Sequence, residues 1–496
     1  MNAPSAPGTP GTPMKNGTGG QPATSRELSP GERWYWIIDQ LSTLNVCARV
    51  RIEGELSARA LRTALGALQD RHPQLRTAIA GPAPQRPGDG PRFVPSDLPI
   101  PLREVRLTGS EDARWVSEVD GHELAVPLDW GSGPLARAVL ISGPGQVHDL
   151  VLTVPHCIAD GTTALSLLRQ WVGLAAAPPP PAPAAVAPGP VPEPFEALFP
   201  ERFRVGAPAP SDGPAPDGPV SGDLAADEVG RLRPERFVPF GRRRTRMLHR
   251  FVEGDVLEGL TLACKREGAT LHGVLAAAVA RAVARDAKAA PNAPFAVGSP
   301  LTLREELRRP VSEDEVGCFV SALHSVVRYR PDDLWPMARF IKDDLTARKN
   351  LGEQYEVFHL LAAQGPAGVA DSEPFVGHFE EHGPFNFFVS NIGRFEFPTE
   401  LGAWRLSGAQ FVGGISVVGY FGSSVTTSQG RLSWNFTYID GAVSPERAER
   451  LADDSVAQVI AAGRWTVDFQ AQLAALDPAA LWSPETWWSV LLEQMW

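Results

Sequence analysis

His156, Asp160 and Gly161 form an H-x-x-x-D-G pattern at the point where an apolar segment gives way to an amphipathic one. A neutral imidazole accepts a proton near physiological pH, which unperturbed carboxylates and lysines do poorly. A histidine at the end of a strand is commonly presented to a cleft. The pattern therefore predicts that His156 is a general base. Taken alone, it equally fits a histidine whose ring nitrogens bond nearby backbone, because such short motifs also arise by chance.

The cysteines are the second group of residues that could do chemistry. Cys47, Cys157, Cys264 and Cys318 are isolated from one another, with no C-x-x-C pair and no His/Cys cluster of metal-ligand spacing. Cys157 adjoins the candidate base, but nothing nearby predicts a low thiol pKa, so we interpret it as buried filler rather than a nucleophile. We expect no metal site, and four reduced thiols in a cytoplasmic protein.

The segments on either side of His156 predict the elements that position it. Apolar or alternating runs are typical of strands, and apolar residues at three- and four-residue spacing behind a Ser or Asp are typical of helices. The predicted elements of this half are strands over 46–52, 138–141 and 149–154, and helices beginning near Leu28, after Ser57 and at Gly161. His156 is thereby placed between the last of these strands and the last of these helices.

The second half of the chain predicts a similar mixture of elements. The predicted strands cover 242–251, 295–297, 320–327, 386–389, 414–420 and 431–438, and the predicted helices cover 256–266, 270–285 and 444–462. Pro- and Gly-rich sequence between the halves is typical of a solvated linker. The predicted organisation is a disordered tail (1–27), a first domain (28–177), a linker (178–222), a second domain (223–463) and a Trp-rich tail (464–496) that packs on the body or a partner.

Composition excludes several classes of protein. With 43% hydrophobic residues in 496, the chain has enough apolar material for two cores, and wholesale disorder is excluded. A net charge of -11 argues against a nucleic-acid-binding surface. The first twenty-five residues contain no apolar core, and no apolar run elsewhere reaches membrane-spanning length. We therefore expect neither a signal peptide nor a membrane span.

The segment His156-Cys157-Ile158-Ala159-Asp160-Gly161 resembles the active-site motif of a known superfamily. That superfamily contains chloramphenicol acetyltransferase, nonribosomal-peptide condensation domains and polyketide-associated acyltransferases, and the resemblance is closest to the last of these. Further landmarks follow in the same order: Arg71-His72-Pro73-Gln74-Leu75-Arg76, Pro127-Leu128-Asp129 with Gly133-Pro134-Leu135, Leu301-Thr302-Leu303-Arg304 with Gly317-Cys318-Phe319, and Ser390-Asn391-Ile392-Gly393. The resemblance covers about residues 28–462.

The resemblance implies a fold of class α/β, in the form of two α+β two-layer domains that meet along a V-shaped cleft. A tunnel crosses this cleft, the donor and the acceptor enter from opposite faces, and His156 lies midway. A segment of the second domain crosses over to extend the sheet of the first, and we place this crossover within residues 411–438.

Roles follow for individual residues. By the resemblance, His156 takes a proton from the acceptor as it attacks a thioester, so no acyl-enzyme is required, while Asp160 pairs with Arg304 to hold the loop. Gly161 allows close approach of the helix N-terminus or unusual backbone angles. Ser390 and Asn391 line the tunnel or donate to the oxyanion, although a plain turn role fits Asn391 equally well.

Two departures from the family pattern narrow the function. Pro155 stands where many condensation domains carry a second histidine, and the "DFGWG" segment of plant-type relatives is absent. Both departures favour the polyketide-associated acyltransferase branch. The resemblance therefore implies acyl transfer to an alcohol, with amide formation by a free-standing condensation enzyme and a non-catalytic carrier-docking module as the alternatives.

The co-substrates follow from the same resemblance. We expect no permanently bound cofactor, acyl-CoA or a phosphopantetheinyl acyl or peptidyl carrier protein as the donor, a small alcohol or amine as the acceptor, and a monomeric protein. The run Arg242-Arg243-Arg244-Thr245-Arg246 is the strongest positive patch in this acidic chain. It fits a receptor for phosphate or for an acidic carrier protein, while the alternative that we prefer is a solvated strand face.

Overall fold

The computed structural model describes residues 25–81, 90–109, 113–177, 190–204 and 228–475, with side chains as far as residue 464. The predicted N-terminal tail up to residue 24, most of the predicted linker and residues 476–496 of the predicted Trp-rich tail lie outside the described residues. Within the described ranges, no helix combines the length and the apolarity needed to cross a bilayer.

The first half of the chain alternates strands with helices. Its elements are β1 (Arg26–Glu27), α1 (Pro30–Leu41), β2 (Asn45–Glu53), α2 (Ala58–Arg71), β3 (Thr77–Ala80), β4 (Arg92–Pro95), β5 (Leu102–Arg106), α3 (Arg114–Glu118), β6 (Arg137–Ser142), β7 (Val147–Pro155) and α4 (Gly161–Ala176). The strands and helices predicted for this half are confirmed, and each of the predicted strands is slightly longer than its pattern.

Local chemistry explains where these helices begin. Ser29 and Glu32 form a reciprocal capping box at the start of α1, and Ser57 accepts a hydrogen bond from Ala60 at the start of α2. The apolar stripe of α2 is buried at Leu61, Ala64, Leu65 and Leu68. The helix ends at Arg71 because Pro73 cannot continue it.

The second half adds the remaining elements. They are β8 (Thr245–Glu253), α5 (Gly254–Arg266), α6 (Leu271–Asp286), β9 (Pro294–Thr302), β10 (Val320–Arg328), α7 (Trp335–Leu351), α8 (Glu356–Gln364), α9 (Glu373–His382), β11 (Phe387–Arg394), β12 (Glu400–Leu401), β13 (Trp404–Gly413), β14 (Phe421–Ser428), β15 (Arg431–Ile439) and α10 (Pro445–Ala475).

Two large mixed sheets organise the chain into two lobes, as predicted. The first sheet has the strand order β12-β13-β2-β7-β6-β5, and the second has the order β10-β9-β11-β14-β15-β8. A small sheet, β1-β4-β3, sits beside the first. Each large sheet has its own buried apolar cluster, in which α2 and α4 cover the first sheet and α5, α6 and α10 cover the second.

The crossover exists, but its predicted position is largely wrong. The strand that joins the first sheet is β13, which pairs with β2 from Arg405 opposite Glu53 to Gly413 opposite Val46. It therefore shares only its last three residues with the predicted 411–438. The predicted strand over 414–420 is also wrong, because these residues form the turn between β13 and β14.

Other predictions need correction as well. The helices α7, α8 and α9 were not predicted, and α10 runs thirteen residues beyond its predicted end at 462. The predicted strand over 242–251 begins only at Thr245, because Phe240–Arg242 form a short helical turn before it.

Part of the predicted linker is not solvated. Phe195, Leu198 and Phe199 are buried against Leu303 and Phe358 of the second lobe. Glu196 of the same turn is also buried, and its Oε1 accepts a hydrogen bond from the backbone N–H of Gly31 in α1. Burial raises the pKa of Glu196 to about 7, and the neighbouring Glu32 carboxylate acts in the same direction. Residues 195–203 therefore tie α1 to the second lobe.

Candidate active site

His156 stands directly after β7, in a turn between that strand and α4. Its backbone N–H donates to the Leu44 carbonyl at 3.2 Å. The ring stacks on Tyr35 with centroids 4.5 Å apart and planes 6° from parallel, and its Nδ1 lies 3.5 Å from Cys318 Sγ. The imidazole is thus held between one group from α1 and one from the segment before β10.

Burial lowers the pKa of His156 below its ordinary value of 6.5, against smaller opposing contributions from backbone oxygens and Asp160. The neutral form therefore predominates at pH 7, which is the form that can accept a proton. The same burial raises the pKa of both neighbouring thiols, Cys157 and Cys318, well above their ordinary value. Neither thiol is a ready nucleophile.

Asp160 caps α4 and reaches into the second lobe. Its Oδ1 accepts from the Thr163 backbone N–H at 2.8 Å, and its Oδ2 accepts from the Phe319 backbone N–H at 2.9 Å. Arg304 Nη2 lies 3.5 Å from Oδ1, and both side chains are buried. The pair that the resemblance implied is therefore present, and Asp160 also makes two backbone hydrogen bonds that the sequence did not indicate.

Arg304 completes this contact between the lobes. Its Nη2 donates to the Thr163 hydroxyl at 2.6 Å, and its Nη1 donates to the Ser312 carbonyl at 2.6 Å. The Thr163 hydroxyl in turn donates to the Gly317 carbonyl at 2.7 Å. The start of α4 is consequently fixed to the segment that precedes β10.

Gly161 is required by close approach and not by unusual backbone angles. A Cβ atom at this position would lie 2.6 Å from Phe411 Cδ2, which belongs to the crossover strand β13. Of the two roles predicted for Gly161, this geometry supports the first.

A cavity of about 1210 Å³ lies between the lobes, and His156 lines it together with Tyr35, Asp160 and Gly161. This volume exceeds the range of roughly 300–1,000 Å³ that is usual for small-molecule sites. The helices α8 and α9 form much of its wall. Ser390 and Asn391, both on β11, also line it. Asn391 Oδ1 accepts from the Gly393 backbone N–H at 2.9 Å, so its amide has the turn role as well.

A second, smaller cavity of about 230 Å³ approaches the same place from another direction. Its lining includes Arg71, His72, Cys318 and Tyr35, and Tyr35 is shared with the large cavity. His156 itself lines only the large cavity. Tyr35 and Cys318 therefore stand between the second cavity and the candidate base.

Comparison with known proteins gives matches in sequence and in fold. Residues 258–407 match the family described as phthiocerol/phthiodiolone dimycocerosyl transferase C-terminus. The fold is similar to the epimerization domain from the third module of tyrocidine synthetase B, with a TM-score of 0.61, 15% identity, and coverage of 89% of this chain and 96% of that one. It is also similar to polyketide synthase associated protein 5 from Mycobacterium tuberculosis, with a TM-score of 0.59, 18% identity, and coverage of 88% and 97%.

The chain has the fold of condensation domains, with two chloramphenicol acetyltransferase-like lobes. The condensation domain of the Monacolin K polyketide synthase MokA has the same fold, with a TM-score of 0.58, 12% identity, and coverage of 90% of this chain and 98% of that one. A separate match over residues 435–494, to the SUKH-4 immunity protein family, covers the end of the second sheet and α10 and continues beyond the described residues.

The curated proteins that match in sequence are much longer than this chain. Phosphinothricin tripeptide synthetase PhsC of Streptomyces viridochromogenes is 32% identical over 150 residues, which are 29% of this chain and 13% of the relative. The nonribosomal peptide synthetase kk1B of Curvularia clavata is 32% identical over 142 residues, which are 28% of this chain and 1% of the relative. The chain thus spans only a small part of these synthetases.

The arginines of the run Arg242–Arg246 differ in burial and in ion pairing. Arg243 is buried, pairs with Glu380 and lines the large cavity, and Arg246 pairs with Asp120 at 2.9 Å. Arg242 and Arg244 are exposed. A phosphate or carrier protein could therefore meet only the exposed members without disrupting an ion pair.

The sequence did not indicate that Tyr35 stacks on the His156 ring, nor that the Cys318 thiol contacts it. In α1, Tyr35 lies between Trp34 and Trp36. Residue type alone does not indicate which of these three aromatic side chains lies against His156. The signal for Cys318 was its place beside Gly317 in a family landmark. All four cysteines are free thiols, as the sequence predicted, and all four are buried, which it predicted only for Cys157.

One acidic cluster in the described part of the chain has ligand atoms close enough for a cation: Glu118, His122 and Glu123. Glu123 accepts from Arg103 at 3.1 Å and from Arg137 at 2.6 Å, so guanidinium groups already neutralise it. The cluster is an ion-pair network of the first lobe, and none of its residues is among those described around His156.

Proposed function

We propose that this chain transfers an acyl group from a thioester donor to an alcohol, forming an ester, with His156 as the general base. The observation that carries the proposal is the neutral imidazole that lines the large cavity between the lobes and is clamped by Tyr35 and Cys318. The donor is acyl-CoA or the acylated phosphopantetheine of a carrier protein.

The reaction follows from the position of the ring. Because Nδ1 faces Cys318, Nε2 is the nitrogen available to the acceptor hydroxyl. The acceptor oxygen attacks the thioester carbonyl carbon while Nε2 takes its proton, and the C–S bond then breaks as the proton passes to the leaving thiolate. Positioned proton transfer of this kind contributes roughly 10²–10⁴-fold, so alignment of the two substrates must supply much of the rest.

The remaining site residues have supporting roles in this proposal. Asp160, Gly161 and Arg304 hold the turn that presents His156, and none of them takes part in the proton transfer. Ser390 and Asn391 bind substrate, and the Ser390 hydroxyl donates to the oxygen that becomes negative in the tetrahedral intermediate.

An alcohol acceptor is favoured by Pro155, which replaces the second histidine found in many condensation domains. In addition, a protein of similar fold, SgcC5 from Streptomyces globisporus, is described in complex with a naphthyl ethanediol. We place the reaction in polyketide or nonribosomal-peptide metabolism in the cytoplasm, with a carrier protein as the partner of a monomeric enzyme. The second candidate is amide formation, which the 32% identity to peptide synthetases favours.

The test is a donor and acceptor screen with mass spectrometry of the products. Acyl-CoA thioesters and acylated carrier proteins are each offered with alcohols and amines matched in carbon skeleton. We expect ester products from wild type, at least a 100-fold loss of turnover in His156→Ala, and wild-type turnover in His148→Ala, whose half-buried ring lies outside the cavity.

The outcomes separate the three hypotheses. Amide without ester would move the assignment to the condensation reaction. Unchanged turnover in His156→Ala would end the general-base mechanism. Tight binding of a carrier protein with no product from any pair would favour the docking module.

A further inference from the structure

Three rings of the large cavity are gathered around Gly298 on β9. The register of the second sheet places His324 of β10 on one side of Gly298 and Phe388 of β11 on the other. Phe385 lies directly over the glycine, since a Cβ atom on Gly298 would come within 2.4 Å of Phe385 Cδ2. We call His324, Phe385, Phe388 and Gly298 the Gly298 floor.

The two phenylalanines are seated in the same way. A Cβ atom on Gly422 would come within 2.4 Å of Phe388 Cζ, so Phe388 also lies on a glycine backbone. Phe385 and His324 have ring centroids 6.3 Å apart and planes 33° from parallel. All three rings line the cavity and are only half-buried. Glycine at these two positions therefore seats flat rings whose remaining surface is open to a ligand.

His324 supplies one polar group in this apolar surface. No hydrogen bond joins its ring to any other described residue. Burial lowers its pKa to about 4, with Arg348 acting in the same direction and Asp344 opposing. The ring is therefore neutral at pH 7 and can both donate and accept a hydrogen bond. Because the ring lines the cavity, its nitrogens can pair with a hydrogen-bonding group of a ligand.

The floor lies away from the reacting centre. β10 starts at Val320, two residues after the cysteine that contacts His156, and at about 3.3 Å per residue His324 lies roughly 13 Å farther along the strand. An acetyl group cannot span this distance from the base. Whatever reaches the floor belongs to a larger substrate group.

We propose that the Gly298 floor is a recognition subsite for a planar aromatic group that carries a neutral hydrogen-bonding substituent, with His324 as the hydrogen-bonding partner. This inference rests on the proposed function, because it takes the cavity as the substrate site, and it adds the chemical class of the substrate. Flat rings are favoured over saturated ones because offset stacking on two seated phenylalanines adds to simple burial. A charged substituent is disfavoured because the neutral imidazole offers no counter-charge.

Equilibrium dialysis of the full chain without any donor tests the subsite in the absence of turnover. The probes share one carbon skeleton: 2-naphthol, decahydro-2-naphthol, naphthalene and 2-naphthoate. We expect 2-naphthol to bind about 3- to 10-fold more tightly than the saturated alcohol because its flat ring stacks on the phenylalanines. It should also bind more tightly than naphthalene, by a similar factor, because its hydroxyl forms a hydrogen bond with His324. The charged naphthoate should bind more weakly than 2-naphthol.

Variants assign these differences to residues. His324→Leu should abolish the preference for 2-naphthol over naphthalene and keep the preference for aromatic over saturated rings. Phe388→Leu should reduce the aromatic preference, and Gly298→Ala should do the same by displacing Phe385. His148→Leu and Phe251→Leu, which lie outside the cavity, are the matched controls and should bind as wild type.

Equal affinity for 2-naphthol and its saturated analogue, or an unchanged naphthol preference in folded His324→Leu, would overturn the subsite. Circular dichroism establishes whether each variant folds. If Gly298→Ala does not fold, Phe388→Leu still tests the aromatic preference. Because no donor is present, probe binding can succeed while every acyl-transfer assay fails, and the reverse also holds. Failure of the subsite can therefore be distinguished from failure of the proposed acyl transfer.

Discussion

The Asp160 carboxylate is the most informative single group to remove. In Asp160→Ala, the buried Arg304 guanidinium loses its counter-charge, which costs about 3–5 kcal/mol when one partner of a buried pair is deleted. The lost N-cap of α4 is worth about 1 kcal/mol, and the buried Phe319 N–H left without an acceptor about 1–3 kcal/mol. These effects share the same atoms and do not add, so we expect a total near 3–5 kcal/mol.

Urea unfolding followed by tryptophan fluorescence measures this loss, and Asp97→Ala, at an exposed carboxylate, is the control. A double-mutant cycle assigns it to the pair. Arg304→Ala should cost about 3–5 kcal/mol in wild type and clearly less in Asp160→Ala, where no carboxylate is left unpaired. A change below about 0.5 kcal/mol in Asp160→Ala, or equal costs of Arg304→Ala in both backgrounds, would refute the clamp.

Three further predictions follow from other parts of the structure. First, kcat/KM should fall on the acid side with a midpoint below pH 6.5, because burial lowers the pKa of His156 and only the neutral ring accepts a proton; a profile from pH 4.5 to 8 that placed the midpoint higher would contradict this. Second, Gly161→Ala should lower the unfolding free energy by about 1–3 kcal/mol through contact with Phe411, whereas Gly66→Ala, where nothing lies within 4 Å, should raise it by about 0.5–1 kcal/mol. Third, Glu196→Gln should raise the unfolding free energy by about 2–3 kcal/mol at pH 8 and leave it nearly unchanged at pH 4. The sign follows because the folded-state pKa of about 7 lies above the unfolded value, so wild-type stability falls as pH rises between the two; denaturation at both pH values checks it, and an equal effect at each would show another cause.

The elements that flank His156 were predictable because their patterns and caps are local, whereas β1, β3, β4, β5 and α3 of the same lobe were not predicted. Ser57 and Asp160 stand directly before amphipathic runs, and β7 ends in the residue before His156, so the position of the candidate base followed from sequence alone. Asp160 and Arg304 are separated by more than a hundred residues in the sequence, and their pairing was predicted only from the family resemblance.

The cavity wall was not predictable for a physical reason. In α9, Phe375, Val376 and Phe379 share one face, with Val376 buried and the two phenylalanines half-exposed in the cavity. The helix spans only 10 residues, so this apolar stripe is too short to be recognised in the sequence. The crossover strand β13 was missed because Gly408, at a φ of +64°, shifts its register and interrupts the alternation. Residues that serve a ligand or a bulge break the local patterns on which prediction depends.

The placement of His156 is a consequence of contact between the lobes rather than of either lobe alone. Its turn is fixed through Asp160 to the Phe319 N–H, its ring lies against Cys318, and Gly161 beside it packs on the crossover strand. All three partners belong to the second half of the chain, whereas β7 and α4 belong to the first. Any shift of one lobe against the other therefore moves the imidazole relative to the cavity wall. The base and the distal Gly298 floor consequently keep their separation only while this interface is intact, which makes the fit of a long substrate a property of how the lobes pack.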